Sequence, residues 1–206
     1  MYICIEGNIG SGKTTLAIAL ANKLNAYFLA EEFEKNTLLP EFYKNKKEFA
    51  YRLEECFLEQ RKDQLRNHFK KKSVKVTVAD YNIHKCLWFA SANLEKQHLG
   101  LFTEKFNKIQ KLTRRPDLLV HLNTSVHHLL KNIKTRGRNY ENAITKSYLI
   151  KVGKNYKKGL KELKKLPILE IKIRQYKKGD DVIMADLIHK LINEGISFNF
   201  KTIHIR

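Results

Sequence analysis

The stretch Gly7-Asn8-Ile9-Gly10-Ser11-Gly12-Lys13-Thr14 leaves this chain few ways to fold. It is G-x-x-x-x-G-K-[ST] without mismatch, a pattern that works as a turn between a strand and a helix. The glycines let successive backbone N–H groups turn toward one point and cradle phosphate oxygens. Lys13 then reaches the β/γ-phosphates of a nucleotide, and the Thr14 hydroxyl is placed to ligate Mg²⁺. The flanks agree. Met1-Tyr2-Ile3-Cys4-Ile5-Glu6 reads as a short buried strand. Thr15 to Leu24 reads as a helix, with Leu16, Ile18, Leu20, Ala21 and Leu24 apolar. The helix N-terminus adds its positive dipole end beneath the phosphates. Gly7 through Thr15 is therefore the candidate nucleotide site.

The rest of the chain repeats strand and helix signals. Tyr27-Phe28-Leu29-Ala30 reads as a second strand, followed by Glu31-Glu32-Phe33-Glu34. A carboxylate at a strand's C-terminal end, beside a phosphate loop, sits where open α/β sheets bind ligands. Phe42-Tyr43 reads as part of a short connection. Lys46 to Lys72 reads as one long helix, with Phe49, Leu53 and Phe57 in an i, i+4 stripe. Glu54 and Arg61 are seven apart and share a face, about 10 Å apart along the axis. Val74 to Asp80 is a β-branched run ending in an acid, the usual complement of a phosphate loop and a second candidate metal ligand. Helices are expected over about Ile83–Ala90, Leu94–Leu112 and Val126–Thr135, with a strand at Leu118–Leu122 between the last two.

Arg136-Gly137-Arg138 then offers two planar forks suited to phosphate. It reads as a basic flap over about residues 136–144. A helix over about Thr145–Lys164, a strand at Ile168–Ile173 and a helix over about Asp180–Asn193 follow. The tail, residues 195–206, alternates only partially, a pattern open to an added edge strand, and gains no functional assignment. Five strands alternating with helices predict one domain over residues 1–206: a five-stranded parallel sheet flanked by helices. The strands' C-terminal ends gather the loop, Glu31 and Asp80 at one edge, which points to a nucleotide-dependent phosphotransferase.

Charge and cysteines narrow the setting. Net charge is +19, mostly lysine spread along the chain, and its dense spots lack the interleaved aromatics of a base-stacking surface. A solvated surface that draws in anionic nucleotide is expected, with no nucleic-acid partner. No apolar run approaches the ~18 residues of a membrane span, and no secretory signal opens the chain. Cys4, Cys56 and Cys86 are isolated, as in a reducing cytoplasm.

From Met1 to about Leu191 the sequence resembles the deoxynucleoside kinases, and most closely the bacterial deoxyguanosine kinases. The resemblance rests on Ile5-Glu6-Gly7 through Thr15, Glu31 after the second strand, and Tyr43 six residues before Phe49. It continues with Glu54 seven before Arg61, Asp80-Tyr81-Asn82, and Arg136-Gly137-Arg138 with Glu141. It implies a P-loop kinase fold with a short Arg-rich lid, ATP as donor, Mg²⁺, and a homodimer. Glu31 resembles the base that accepts the 5′-hydroxyl proton. Tyr43 and Glu141 resemble the pair on the 3′-hydroxyl, Glu54 and Arg61 the base readers, Arg136 and Arg138 the lid arginines. Asp80 resembles the acid near the metal and the 5′-end. Two positions depart. Tyr81 stands where many members carry the arginine of an acid-Arg-Ser motif, so one positive charge near the 5′-hydroxyl is missing from that motif. Asn132 stands where relatives often place an arginine.

The expectation is ATP-dependent 5′-phosphorylation of a deoxynucleoside, with deoxyguanosine favoured. A nucleoside monophosphate kinase would need arginines near the second strand, where this chain has acids. A GTPase would need N-K-x-D, which is absent. A basic RNA-binding module would rest on the lysine patches alone.

Overall fold

The computed structural model describes residues 1–33, 36–71 and 74–205. β1 (Tyr2–Gly7) leads into α1 (Lys13–Lys23), followed by β2 (Tyr27–Leu29). A short α2 (Leu38–Lys44) precedes the long α3 (Lys46–Phe69) and β3 (Thr77–Ala79). Then come α4 (His84–Asn93), α5 (Lys96–Gln110), β4 (Leu118–Thr124) and α6 (Val126–Arg136). A 3₁₀ turn (Asn139–Ala143) leads to α7 (Lys146–Glu162), β5 (Ile168–Ile173), α8 (Asp180–Asn193) and β6 (Phe200–Ile205).

The strands form one parallel sheet in the order β2-β3-β1-β4-β5-β6. The sheet has six strands, which corrects the expected five. The tail supplies the sixth, with Ile171 opposite Ile203 and Ile173 opposite Ile205. As an edge strand, β6 leaves Phe200, Lys201 and His204 exposed and turns only Ile203 and Ile205 toward the core, so its alternation is blurred.

β1 is buried throughout because helices cover both faces of the sheet. Ile3 and Ile5 pack with Leu16 and Leu20 of α1 and Met184 and Ile188 of α8. Tyr2 and Cys4 face the other way, toward Leu58 and Leu65 of α3, Cys86 of α4 and Phe102 and Phe106 of α5. A parallel strand between two helical layers needs the near-continuous apolar run that this one has.

Three local readings shift. α2 lies where a bare connection is expected; Pro40 fits because it stands in the first turn, where no helical N–H bond is lost. β3 spans Thr77–Ala79 rather than Val74–Asp80, pairing with β1 and the three-residue β2 over three positions. The expected helix end at Lys72 and Glu34 of the acidic run lie outside the described residues. α3 begins at Asn45, whose side chain accepts from the Glu48 N–H at 3.4 Å and donates to the Glu48 carboxylate at 2.8 Å. This reciprocal cap fixes where the helix that carries Glu54 and Arg61 starts.

Candidate active site

Three strands of this sheet end at one place. The phosphate loop follows β1, Glu31 follows β2, and Asp80 follows β3. α1 opens at Gly12 in the left-handed conformation with no side-chain cap, so its first N–H groups remain for a ligand. Gly10 is held at φ 79°, and a Cβ there would meet the Leu129 carbonyl at 2.8 Å. α6 closes on the loop at that point, and Asn132 donates its amide to the Gly10 carbonyl at 2.8 Å. The position where relatives often carry arginine thus ties α6 to the loop.

Lys13 donates to the Asn8 carbonyl at 2.9 Å, curled back over the loop. Burial and the neighbouring Lys85 ammonium lower its pKa to about 8. A lysine destabilised as a cation in this way is poised for an arriving anion. The Ser11 hydroxyl is buried without a protein partner. Thr14 Oγ1 donates to Asp80 Oδ2 at 2.5 Å, so the two expected metal ligands meet.

Glu31 is fixed from three sides. Its N–H donates to Asp80 Oδ1 at 2.8 Å. Arg61 Nε donates to Oε1 at 2.9 Å, and Arg61 Nη2 reaches the same oxygen. Lys85 Nζ donates to Oε2 at 2.5 Å. Burial pushes the Glu31 carboxyl up, but the Lys85 and Arg61 cations outweigh it and hold the pKa at about 2. Glu32 turns outward beside Gln64.

A cavity of about 840 Å³, counted to its open mouth, runs from Lys13 and Thr14 past Glu31 to Glu54. Of the residues marked in the sequence, Ile9, Gly10, Lys13, Thr14, Glu31, Tyr43, Glu54, Arg61, Asp80, Arg136, Arg138 and Glu141 line it. Gly7, Asn8, Ser11 and Gly12 shape the loop from behind, where Asn8 Nδ2 donates to the Leu149 carbonyl of α7 at 2.8 Å. Thr15 lies in a different cleft, between α1 and α8.

At the far end, Glu54 is 2% exposed. Asn93 Nδ2 donates to its Oε1 at 2.6 Å, while Oε2 has no partner. Burial raises this carboxyl to about 7, against the pull of Asn93 and Arg61. Phe57, Phe89 and Tyr148 complete the walls. Arg61 lines the same space but is committed to Glu31 and, at 3.0 Å, to Cys86 Sγ. The sharing of a helix face by Glu54 and Arg61 therefore brings both into the cavity without pairing them. Over the mouth, Arg136 grips both Glu141 oxygens, at 2.6 and 2.7 Å through Nη2, and Arg138 lies over the Phe33 ring. Tyr43 stacks with Tyr140 at 6.0 Å between ring centres.

Sequence reading missed Lys85, Asn93 and Glu6. Lys85 and Asn93 sit on α4, whose pattern signals only an apolar helix. Glu6 is buried at the end of β1, where it accepts the Asn82 N–H at 2.5 Å and the Tyr156 hydroxyl at 2.9 Å. It clamps β1 to the segment entering α4 and to α7; no local pattern announces such a link.

Known proteins resemble this chain in sequence and fold. Residues 3–194 match the deoxynucleoside kinase family profile. The deoxyguanosine kinase of Bacillus subtilis (strain 168) is 38% identical over 169 residues, covering 79% of this chain and 79% of that protein. A deoxyadenosine kinase of Dictyostelium discoideum is 31% identical over 176 residues, covering 82% of this chain and 71% of that protein. Among solved structures, deoxyadenosine kinase from M. mycoides with bound dCTP superposes with a TM-score of 0.80 at 23% identity, over 94% of this chain and 100% of that one. The fold is shared with that structure, and the family match spans residues 3–194, from β1 into the end of α8: this chain is an enzyme of the deoxynucleoside kinase family.

Proposed function

We propose that the enzyme transfers the γ-phosphoryl of ATP to the 5′-hydroxyl of a deoxynucleoside, with deoxyguanosine the favoured acceptor. The observation that carries this reading is the line Lys13–Glu31–Glu54 along one cavity. It puts a phosphate grip, an ionised carboxylate and a buried base-sized recess in the order that a donor phosphate, a 5′-hydroxyl and a base require.

Phosphoryl transfer asks for orientation of the attacking oxygen and for charge where the transferring group develops it. An ionised carboxylate offers about four lone-pair positions, of which Arg61 and Lys85 occupy three. The remaining one suits the 5′-hydroxyl, which Glu31 would orient and finally relieve of its proton. Lys13, the loop N–H groups, Arg136 and Arg138 supply positive charge. Thr14 and Asp80 present adjacent hard oxygens and fit Mg²⁺; when bound, the ion neutralises charge on the donor phosphates. Tyr43 and Glu141 lie beside the mouth, where a 3′-hydroxyl would sit. Glu54 Oε2, unpartnered and acceptor-only when ionised, suits the N1–H and N2–H₂ edge of guanine. Arg61 supports the base Glu31 in this geometry, so Glu54 with Asn93 carries the reading of the nucleobase.

This reading takes residues 1–206 as one catalytic domain with a lid at about 136–144, working as a cytoplasmic homodimer without nucleic acid or membrane. No helix among the described residues is long and apolar enough to cross a membrane. The test is ATP turnover against a panel of deoxynucleosides and monophosphates. Lys13→Ala should lose about 10²–10³ in kcat and Glu31→Gln about 10²–10⁴, both folded. A folded Lys13→Ala enzyme of normal turnover, or a preference for a monophosphate acceptor, would sink the proposal.

A further inference from the structure

Tyr81 follows Asp80 at the end of β3, yet it does not reach the site. Tyr81 turns into the core with Tyr2, Cys4 and Ile83; it is fully buried, its hydroxyl has no partner, and it does not line the cavity. Four residues on, in the first turn of α4, Lys85 does line it. Lys85 is 7% exposed, yet its ammonium is not neutralised by a surface acid. It points at Glu31 Oε2 at 2.5 Å, on the opposite side of the carboxylate from Arg61. A buried ammonium is costly unless paired, and here its partner is the carboxylate proposed as the base.

Lys85 adds a second cation to the Glu31 carboxylate, which Arg61 already grips, and the Glu6 and Asp80 carboxylates lie close by.

From this juxtaposition we infer that Lys85 is a positioning residue for Glu31. It fixes the outer oxygen of Glu31 toward the 5′-hydroxyl and holds an ammonium beside the transfer point. The inference rests on the reading of Glu31 as base.

The test compares Lys85→Met, Lys85→Arg, Lys85→Ala and Glu31→Gln, with thermal unfolding to establish that each folds. Lys85→Met, isosteric but uncharged, should lose about 10²-fold in kcat with KM for deoxyguanosine little changed, the signature of an interaction realised in the transition state. Lys85→Arg should recover most of that loss. Ethylammonium added to Lys85→Ala should restore turnover saturably, which a purely structural lysine would not allow. Near-normal kcat in Lys85→Met beside a crippled Glu31→Gln overturns the role of Lys85 and leaves the base standing. A loss confined to KM, or failure of both Lys85→Arg and ethylammonium to restore activity, overturns it too. A fully active Glu31→Gln removes the base and this proposal together. Should Lys85→Met fail to fold, the arginine variant and the amine rescue decide alone.

Discussion

Glu54 stands with one oxygen on Asn93 and the other facing the cavity unpartnered, so its charge depends on what arrives there. Its pKa in the folded protein is about 7, against an ordinary value of 4.5. Below the ordinary value both folded and unfolded chains hold the proton and stability is unaffected. As pH rises from there to about 7 the unfolded chain releases the proton and the folded chain keeps it, so stability falls. The full loss, reached above the folded value, is roughly 3 kcal/mol. Glu54→Gln should therefore raise Tm, and by more at about pH 8 than at about pH 5. Its functional effect runs the other way. Glutamine offers a donor where guanine needs an acceptor, and a buried polar group left unpaired costs about 1–3 kcal/mol. The ratio of kcat/KM for deoxyguanosine over deoxyadenosine should shrink tenfold or more, or reverse. An unchanged ratio would place base reading elsewhere. The carboxylate itself was legible from its spacing to Arg61. Its partner Asn93 and the commitment of Arg61 to Glu31 were not, because they depend on how α3 docks against α4 and against the end of β2, 30 or more residues away.

α4 supplies Lys85 and Asn93, and α7 holds it in place. The two helices meet at Gly159, where a Cβ would sit 1.8 Å from Trp88 Nε1. Trp88 also packs on Tyr156 at 4.6 Å between ring centres, so the indole has little room to retreat. Gly159→Ala should cost about 1–3 kcal/mol by overpacking, measured as lowered Tm. Because the shift displaces α4, kcat should fall as well, although residue 159 does not line the cavity. Elements of this kind mark the boundary of what sequence reveals. The phosphate loop is a local motif, so eight consecutive residues and their flanks suffice to place it. β6 and α2 are held chiefly by what they pack against. β6 is half-exposed on the sheet edge and α2 lies over α3 through Phe42, a residue 1% exposed, so neither writes a full period into its own sequence.

At the scale of the molecule, a net charge of +19 acts differently on the two substrates. ATP is an anion and a deoxynucleoside is neutral, so raising ionic strength should raise KM for ATP and leave KM for deoxyguanosine nearly flat. Equal salt dependence would mean that the lysines only solvate the surface. The bond from Asn132 to the Gly10 carbonyl has a longer reach. It joins α6, which ends in Arg136, to the phosphate loop. Leu129 and Ile133 of α6 are buried as well, so the arm is anchored along its length and ends at Gly137 in the left-handed conformation. Any swing of the proposed lid is thus confined to the few residues beyond that glycine, with Arg136 held on the arm. Solution X-ray scattering should show an unchanged radius of gyration when nucleotides bind, while amide exchange slows in the lid. This enzyme would work as a clasp on a rigid case rather than as a pair of closing jaws.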